Sequence, residues 1–334
     1  MPVFSYLHQL FSADTCHAYL HTLRWQERPL QCPRCQSHDV GPWGTYHDRP
    51  GCKRYGCKGG QRTFNDRTHT LLAPSKRSLV YWLLATVLLG LSCSSRRIAR
   101  ALGVHIRTSS RWCWGRRNAA LSYEMPRQLD GTVDADELDH TAGRQGQAKR
   151  GGNKPRGRWP RRRRKKREPG RDHDAKDRPA ISAWVSRQGP VVVQAVRACP
   201  VTTVQKAADW AVQTGSRLYT DSASSSRALT GYVHAFVKHT PQADAPGDVH
   251  ENRAECLFSL LKPYLRVFRG ISKINLPGYL GFFQFLRNFR SQNAFEQAEM
   301  ILRAALDPSV ARRARKGEFV TCFDHFNLLQ TPIN

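Results

Sequence analysis

Two sets of side chains in this sequence have the types and spacing for chemistry: carboxylates and thiols. Asp134 and Asp136 alternate with Val133 and Ala135 in Gly131-Thr-Val-Asp-Ala-Asp-Glu137. On a strand the two Asp share one face, and burying such a pair is costly unless a cation compensates. Asp221 ends the short apolar run Ser216-Arg-Leu-Tyr-Thr220 and precedes the small polar run Ser222 to Ser226. An Asp there stands where open sheets collect ligands or caps a following helix. Glu255 lies 34 residues further on, in His250-Glu-Asn-Arg-Ala-Glu255-Cys-Leu-Phe-Ser-Leu-Leu-Lys262. Taken alone, such a Glu is a solvated helical residue. Brought to one place, the three carboxylates bind hard divalent cations through oxygen. Two such ions serve the attacking and leaving oxygens of a phosphodiester.

The thiols form a second set. Cys32-Pro-Arg-Cys35 is a C-x2-C knuckle, and Cys52 and Cys57 form a C-x4-C with sixteen residues between the pairs. Two short-range pairs close a tetrahedral Zn²⁺ site with little loop entropy. A second C-x2-C would put its last Cys at position 60, which is Gly. Cys52 then supplies the fourth ligand, with His47 a weaker substitute, or the site is incomplete.

These groups require elements to hold them. Residues 1–27 read as a helical lead-in. Residues 28–66 have too little apolar content for a core and need a staple such as zinc. Residues 75–120 are strongly helical. Their apolar run Leu79 to Ser95 is better read as a buried core helix than as a membrane span, because it leads straight into a basic helix pair. In that pair Ile98, Ala99 and Leu102 share a face and Gly103 supplies the turn. The second helix carries Arg107, Ser110, Arg111, Arg116 and Arg117, which suits a helix-turn-helix entering the major groove. From residue 130 to 305 the order is a strand with Asp, strands Pro179–Arg187 and Pro190–Ala198 around Gln188-Gly189, and a helix Thr202–Gln213. A strand ending in Asp, a further strand and a helix with Glu complete it. That order predicts an α/β, RNase H-like domain with a mixed sheet. On the last helix Leu257, Leu260, Leu261 and Tyr264 form the expected apolar stripe. Residues 306–334 read as a C-terminal tail.

Charge points to the partner class. The 334 residues carry a net charge of +27, which favours a polyanion through counterion release without naming a function. The basic insertion 144–178 holds 16 basic and 4 acidic residues, a net +12. Within it Arg161, Arg162, Arg163, Arg164, Lys165, Lys166 and Arg167 suit phosphate contact without sequence choice. Ten Cys with one cluster fit a reduced, intracellular protein with a metal site, and no secretory signal peptide is visible.

CPRC, QRTFNDRTHTLLAPSKRSLVYW, the helix pair, VDADE, YTD, HENRAECLFSLLK and the Gly270-Ile-Ser-Lys segment occur in that order. In this the chain resembles bacterial insertion-sequence DDE transposases with an N-terminal zinc ribbon, the group related to the eukaryotic Merlin elements. The resemblance implies Asp136, Asp221 and Glu255 as a triad for Mg²⁺ or Mn²⁺, with Asn252 a possible alternative third member and Lys262 contacting donor DNA. It implies hydrolysis at element ends and attack of the freed 3′-hydroxyl on target double-stranded DNA. It further implies a homodimer or larger synaptic assembly, Zn²⁺ in the ribbon, and a place in the bacterial cytoplasm on the nucleoid. The alternative from the same residues is a catalytically inactive zinc-ribbon DNA-binding regulator derived from a transposase.

Overall fold

The computed structural model describes residues 12–315 except 27, 48, 124–127, 140–178, 197–200, 222–228, 238–251 and 273–274. Helix α1 (Ala13–Trp25) starts at Ser12, whose Oγ accepts the Thr15 N–H at 3.1 Å, and buries Cys16, Tyr19, Leu20 and Leu23. Strands β1 (Val40–Tyr46), β2 (Arg49–Cys57) and β3 (Arg62–Phe64) follow as an antiparallel sheet in that order. The sheet buries a small cluster of Cys32, Tyr55, Cys57 and Phe64, and Cys52 apart from that cluster. Too small to stand alone, it is tied to α1 through Asp66. That carboxylate accepts from Trp25 Nε1 at 2.7 Å and lies 3.1 Å from His21 Nδ1.

Helix α2 (Leu79–Gly90) has no charged residue and buries Leu79, Trp82, Leu83, Ala85, Thr86, Val87 and Leu89. Among the described residues no helix is long and apolar enough to cross a membrane; the α2 part of the apolar run is largely buried, whereas Leu91 beyond it is exposed. Helix α3 (Ser95–Ala101) is capped by Ser94 and buries Ile98 and Ala99. Gly103 turns the chain with φ +60°, a left-handed conformation that costs a glycine little. Helix α4 (Ile106–Leu121) then runs back into the core.

A five-stranded mixed sheet has the order β6-β5-β4-β7-β8. Its members are β4 (Thr132–Asp139), β5 (Ala180–Ser186), β6 (Val191–Val196), β7 (Arg217–Asp221) and β8 (Val233–Val237). β4–β5–β6 are antiparallel, whereas β7 runs parallel to β4 and to β8. Alternation gives each face its own cover. On one face Val133, Ala135, Trp184, Val192 and Leu218 meet Val204, Ala207, Ala208 and Ala211 of α5 (Val201–Ala211). On the other, Ile181, Ala183, Val185, Val191 and Val193 join the large helical core with α6 (Asn252–Val267) and α7 (Leu276–Asn288).

Helix α7 also closes the open edge of the sheet. Gln284 Oε1 accepts the Val193 N–H at 2.9 Å, and Asn288 Oδ1 accepts the Val191 N–H at 2.8 Å. These bonds occupy edge groups that would otherwise invite another strand. Gly281 lets α7 lie against α4, since a Cβ there would overlap the Leu121 side chain. Helix α8 (Ala294–Ala305) opens with an Asn293/Glu296 capping box. The C-terminal residues begin with a further packed helix, α9 (Pro308–Arg315), which buries Val310 and Ala311.

Candidate acidic site and thiol cluster

The sheet face beneath α6 carries the acidic residues. Asp134 pairs with Val185 on β5 and Tyr219 on β7, and Asp136 pairs with Ala183. Asp136 and Asp221 each stand two residues beyond the paired Asp134 and Tyr219, on adjacent parallel strands. Asp221 is described as backbone, with Val237 as its β8 partner; its side chain lies outside the described residues. Helix α6 packs on β4 and β5, and Glu255 is exposed in its first turn. The helix dipole favours an anion there, so the position alone does not mark a catalytic residue. Lys262 is exposed too, and Asn252 is described as backbone only.

The apolar stripe of α6 differs from the expectation in one member. Ala254, Leu257, Phe258, Leu261, Tyr264 and Leu265 are buried, while Leu260 is 43% exposed. The seam follows i, i+3, i+4, i+7 from Ala254 rather than from Leu257.

The two β4 carboxylates are compensated differently. Asp134 is fully buried, and Arg187 Nε lies 3.5 Å from its Oδ1. Among the described residues neither Asp134 oxygen has a well-aligned hydrogen bond, so the compensation is mainly Coulombic, with a weak hydrogen-bond contribution from Arg187. Burial pushes the Asp134 carboxyl above its ordinary value, and the Arg187 and Arg253 guanidinium groups pull it back only in part. Arg253, on α6, also donates to the Arg187 carbonyl, and the Arg187 guanidinium lies over the Tyr219 ring at 5.0 Å. The cation that the sequence demanded for the Asp pair is thus, for Asp134, an arginine of the protein. Nothing local in the sequence marks this, because Arg187 arrives only through the β4–β5 pairing. Asp136 is only partly buried, and its Oδ1 accepts the Glu137 N–H at 2.6 Å, which fixes the carboxylate. Its hard oxygen donors fit Mg²⁺ or Mn²⁺.

Arg187→Met strands a buried carboxylate and is expected to cost about 3 kcal/mol of stability at about pH 8. A carboxyl whose folded pKa is raised loses stability as pH rises through that pKa. The deficit should therefore shrink as unfolding is measured at progressively lower pH. A deficit of equal size at every pH would sink this account of Asp134.

The thiol cluster forms with three of the four expected residues. The Sγ atoms of Cys32, Cys35 and Cys57 all lie within 4.8 Å of one another, with Cys35 and Cys57 at 3.4 Å. Burial raises the Cys32 thiol, but backbone N–H groups of Cys35 and Arg34 and the neighbouring thiols outweigh it, leaving the pKa below the ordinary value. That favours the thiolate a metal needs. Cys52 is not part of the cluster. It is buried five residues earlier on β2, which at strand rise is roughly 16 Å along the chain from Cys57. His47 is exposed and is not part of the cluster either.

The candidate DNA-contact residues divide. Arg107, Ser110 and Arg111 on α4 are exposed. Arg116 and Arg117 are corrections: they are 1% and 5% exposed and belong to the core. Arg116 lies 4.2 Å from the Trp82 ring centroid, and Arg117 lies 3.9 Å from that of Tyr279. Arg161 to Arg167, with the rest of the basic insertion, lie outside the described residues.

Comparisons with known proteins cover the same segment. Residues 128–288 match the ISXO2-like transposase domain, a span that runs from just before β4 to the end of α7 and takes in Asp136, Asp221 and Glu255. Over 311 residues, 92% of this chain and 100% of the relative, the chain is 28% identical to the "Uncharacterized protein in transposable element ISH50" of Halobacterium salinarum. No solved structure matches the chain. The mixed sheet with its α6 and α7 cover thus lies in the segment that is similar to the ISXO2-like transposase domain, and the chain as a whole is similar to a protein of a transposable element.

Proposed function

We propose that this chain is an active DNA transposase, which cuts insertion-sequence ends and joins the freed 3′-hydroxyl to target DNA. The observation that carries the reading is the parallel β4–β7 register, with Asp136 and Asp221 on neighbouring strands and the helix that bears Glu255 packed on β4 and β5. The strand order and the single antiparallel arm β5–β6 are consistent with an RNase H-like fold. In this reading Asp136, Asp221 and Glu255 hold Mg²⁺ or Mn²⁺, with Asn252 an alternative to Glu255. The bound ions supply charge stabilisation for the oxygens exchanged at phosphorus. Lys262, exposed seven residues after Glu255 on α6, contacts donor phosphate. The α3–α4 pair acts as a helix-turn-helix, with Arg107, Ser110 and Arg111 reaching the DNA and the 144–178 insertion adding phosphate contacts. The Cys module is a zinc ribbon, and synapsis of two ends calls for at least a homodimer.

The test is incubation of the full chain with a duplex carrying an element end and a target duplex, with Mg²⁺ or with chelator. Nicks that leave a 3′-hydroxyl, and products joined to target, are expected only with the metal. Nicking without joining would make the chain a nuclease. Binding without cleavage would leave the inert regulator.

A further inference from the structure

The thiol cluster ends at a glycine. Gly60 donates its N–H to Cys57 Sγ at 3.2 Å. A Cβ built on Gly60 would lie 3.2 Å from Cys35 Sγ and 3.5 Å from Cys57 Sγ. Position 60 therefore lies directly beside the Cys35 and Cys57 sulfurs, and its residue has no side chain to offer. Among the described residues no fourth His, Cys, Asp or Glu joins the group. Cys35 is exposed, whereas Cys32 and Cys57 are buried, so solvent reaches the cluster.

Structural zinc sites are closed by four protein ligands, whereas a site with three keeps a position for an outside ligand. We propose that this chain binds zinc through Cys32, Cys35 and Cys57 alone, and that the position beside Gly60 takes an exchangeable soft ligand, a small-molecule thiolate. Water fills it when no thiol is present. This rests on the zinc-ribbon reading above. It changes what the module is: a clip held by three protein bonds, with metal retention that depends on the surrounding thiol pool. The closed alternative is one side chain away, since Gly60→Cys places a sulfur at the open corner. The 3.2 Å approach to Cys35 asks its side chain to yield by a few tenths of an ångström.

The experiment uses Co²⁺ as a spectroscopic stand-in for zinc in the full chain, wild type against Gly60→Cys, with 2-mercaptoethanol as the thiol probe. Both proteins are expected to take one Co²⁺ with sulfur-to-metal charge-transfer bands. Only the wild-type spectrum should shift as thiol is added. Gly60→Cys should hold the metal more than about tenfold tighter and ignore the thiol. A wild-type spectrum that already matches Gly60→Cys and does not respond to thiol would mean a fourth protein ligand, and would overturn the open site while leaving the zinc ribbon standing. Failure of both proteins to bind Co²⁺ would overturn the zinc ribbon itself. Binding by Gly60→Cys alone would show that three thiolates do not suffice, and would overturn the proposal directly.

Discussion

Asp221→Asn is expected to reduce cleavage of an element end by more than about a thousandfold, roughly 4 kcal/mol of barrier, with binding to the same duplex unchanged. The substitution keeps the size of the side chain and one oxygen donor but removes the negative charge that holds a hard divalent cation. Asp221 is the last residue of β7 and has a parallel partner on β8, so its backbone position does not depend on the carboxylate. Affinity for DNA comes mostly from basic side chains elsewhere, which is why binding and cleavage should separate. Glu255→Gln should behave the same way if Glu255 is the third ligand. If Glu255→Gln cuts normally and Asn252→Ala does not, Asn252 holds that role. Full cleavage by Asp221→Asn would remove it from the mechanism and leave the parallel register of β4 and β7 without a catalytic meaning.

How much of this was legible depended on whether the controlling contact was local. The hairpin β5–β6 was readable because Gln188-Gly189 separates two apolar runs, and the α3–α4 turn was readable at Gly103. Alternation also put Asp134 and Asp136 on one face, but it could not say that Arg187 would take Asp134, since that pairing depends on strand register. The stripe on α6 was read one step out of phase at Leu260, because Phe258 and Leu260 are equally apolar and only the sheet chooses between them. Spacing selected Cys52 as a ligand, yet β2 is extended and carries Cys52 away from Cys57. The open corner was visible in the sequence as Gly60 and became interpretable once the three sulfurs converged. Arg116 and Arg117 were misread because residue type alone suggests solvent and phosphate. The partners that bury them come from other helices and the loop after α6: Trp82 on α2 for one, Phe268 and Tyr279 for the other.

That misreading yields the second large effect. Arg116 is fully buried with its guanidinium 4.2 Å from the Trp82 ring centroid and 5.7 Å from that of Trp112. Its Nε donates to Thr86 Oγ1 at 2.6 Å and its Nη2 to the Trp82 carbonyl at 2.7 Å. The side chain therefore ties α4 to α2 through aromatic faces and hydrogen bonds. Arg116→Ala empties that space and leaves the Thr86 hydroxyl and the Trp82 carbonyl without this donor. We expect a loss of about 4–5 kcal/mol in unfolding free energy, which is a large part of the stability of an ordinary domain. Arg116→Met refills most of the volume and loses only the polar contacts and the cation–π attraction, so it should recover roughly half of that. At a temperature where it is folded, Arg116→Met should bind duplex DNA with the wild-type salt slope, because a side chain in the core releases no counterions. Wild-type stability for Arg116→Ala, together with a shallower salt slope for either variant, would return this arginine to the DNA-binding surface and take it out of the core.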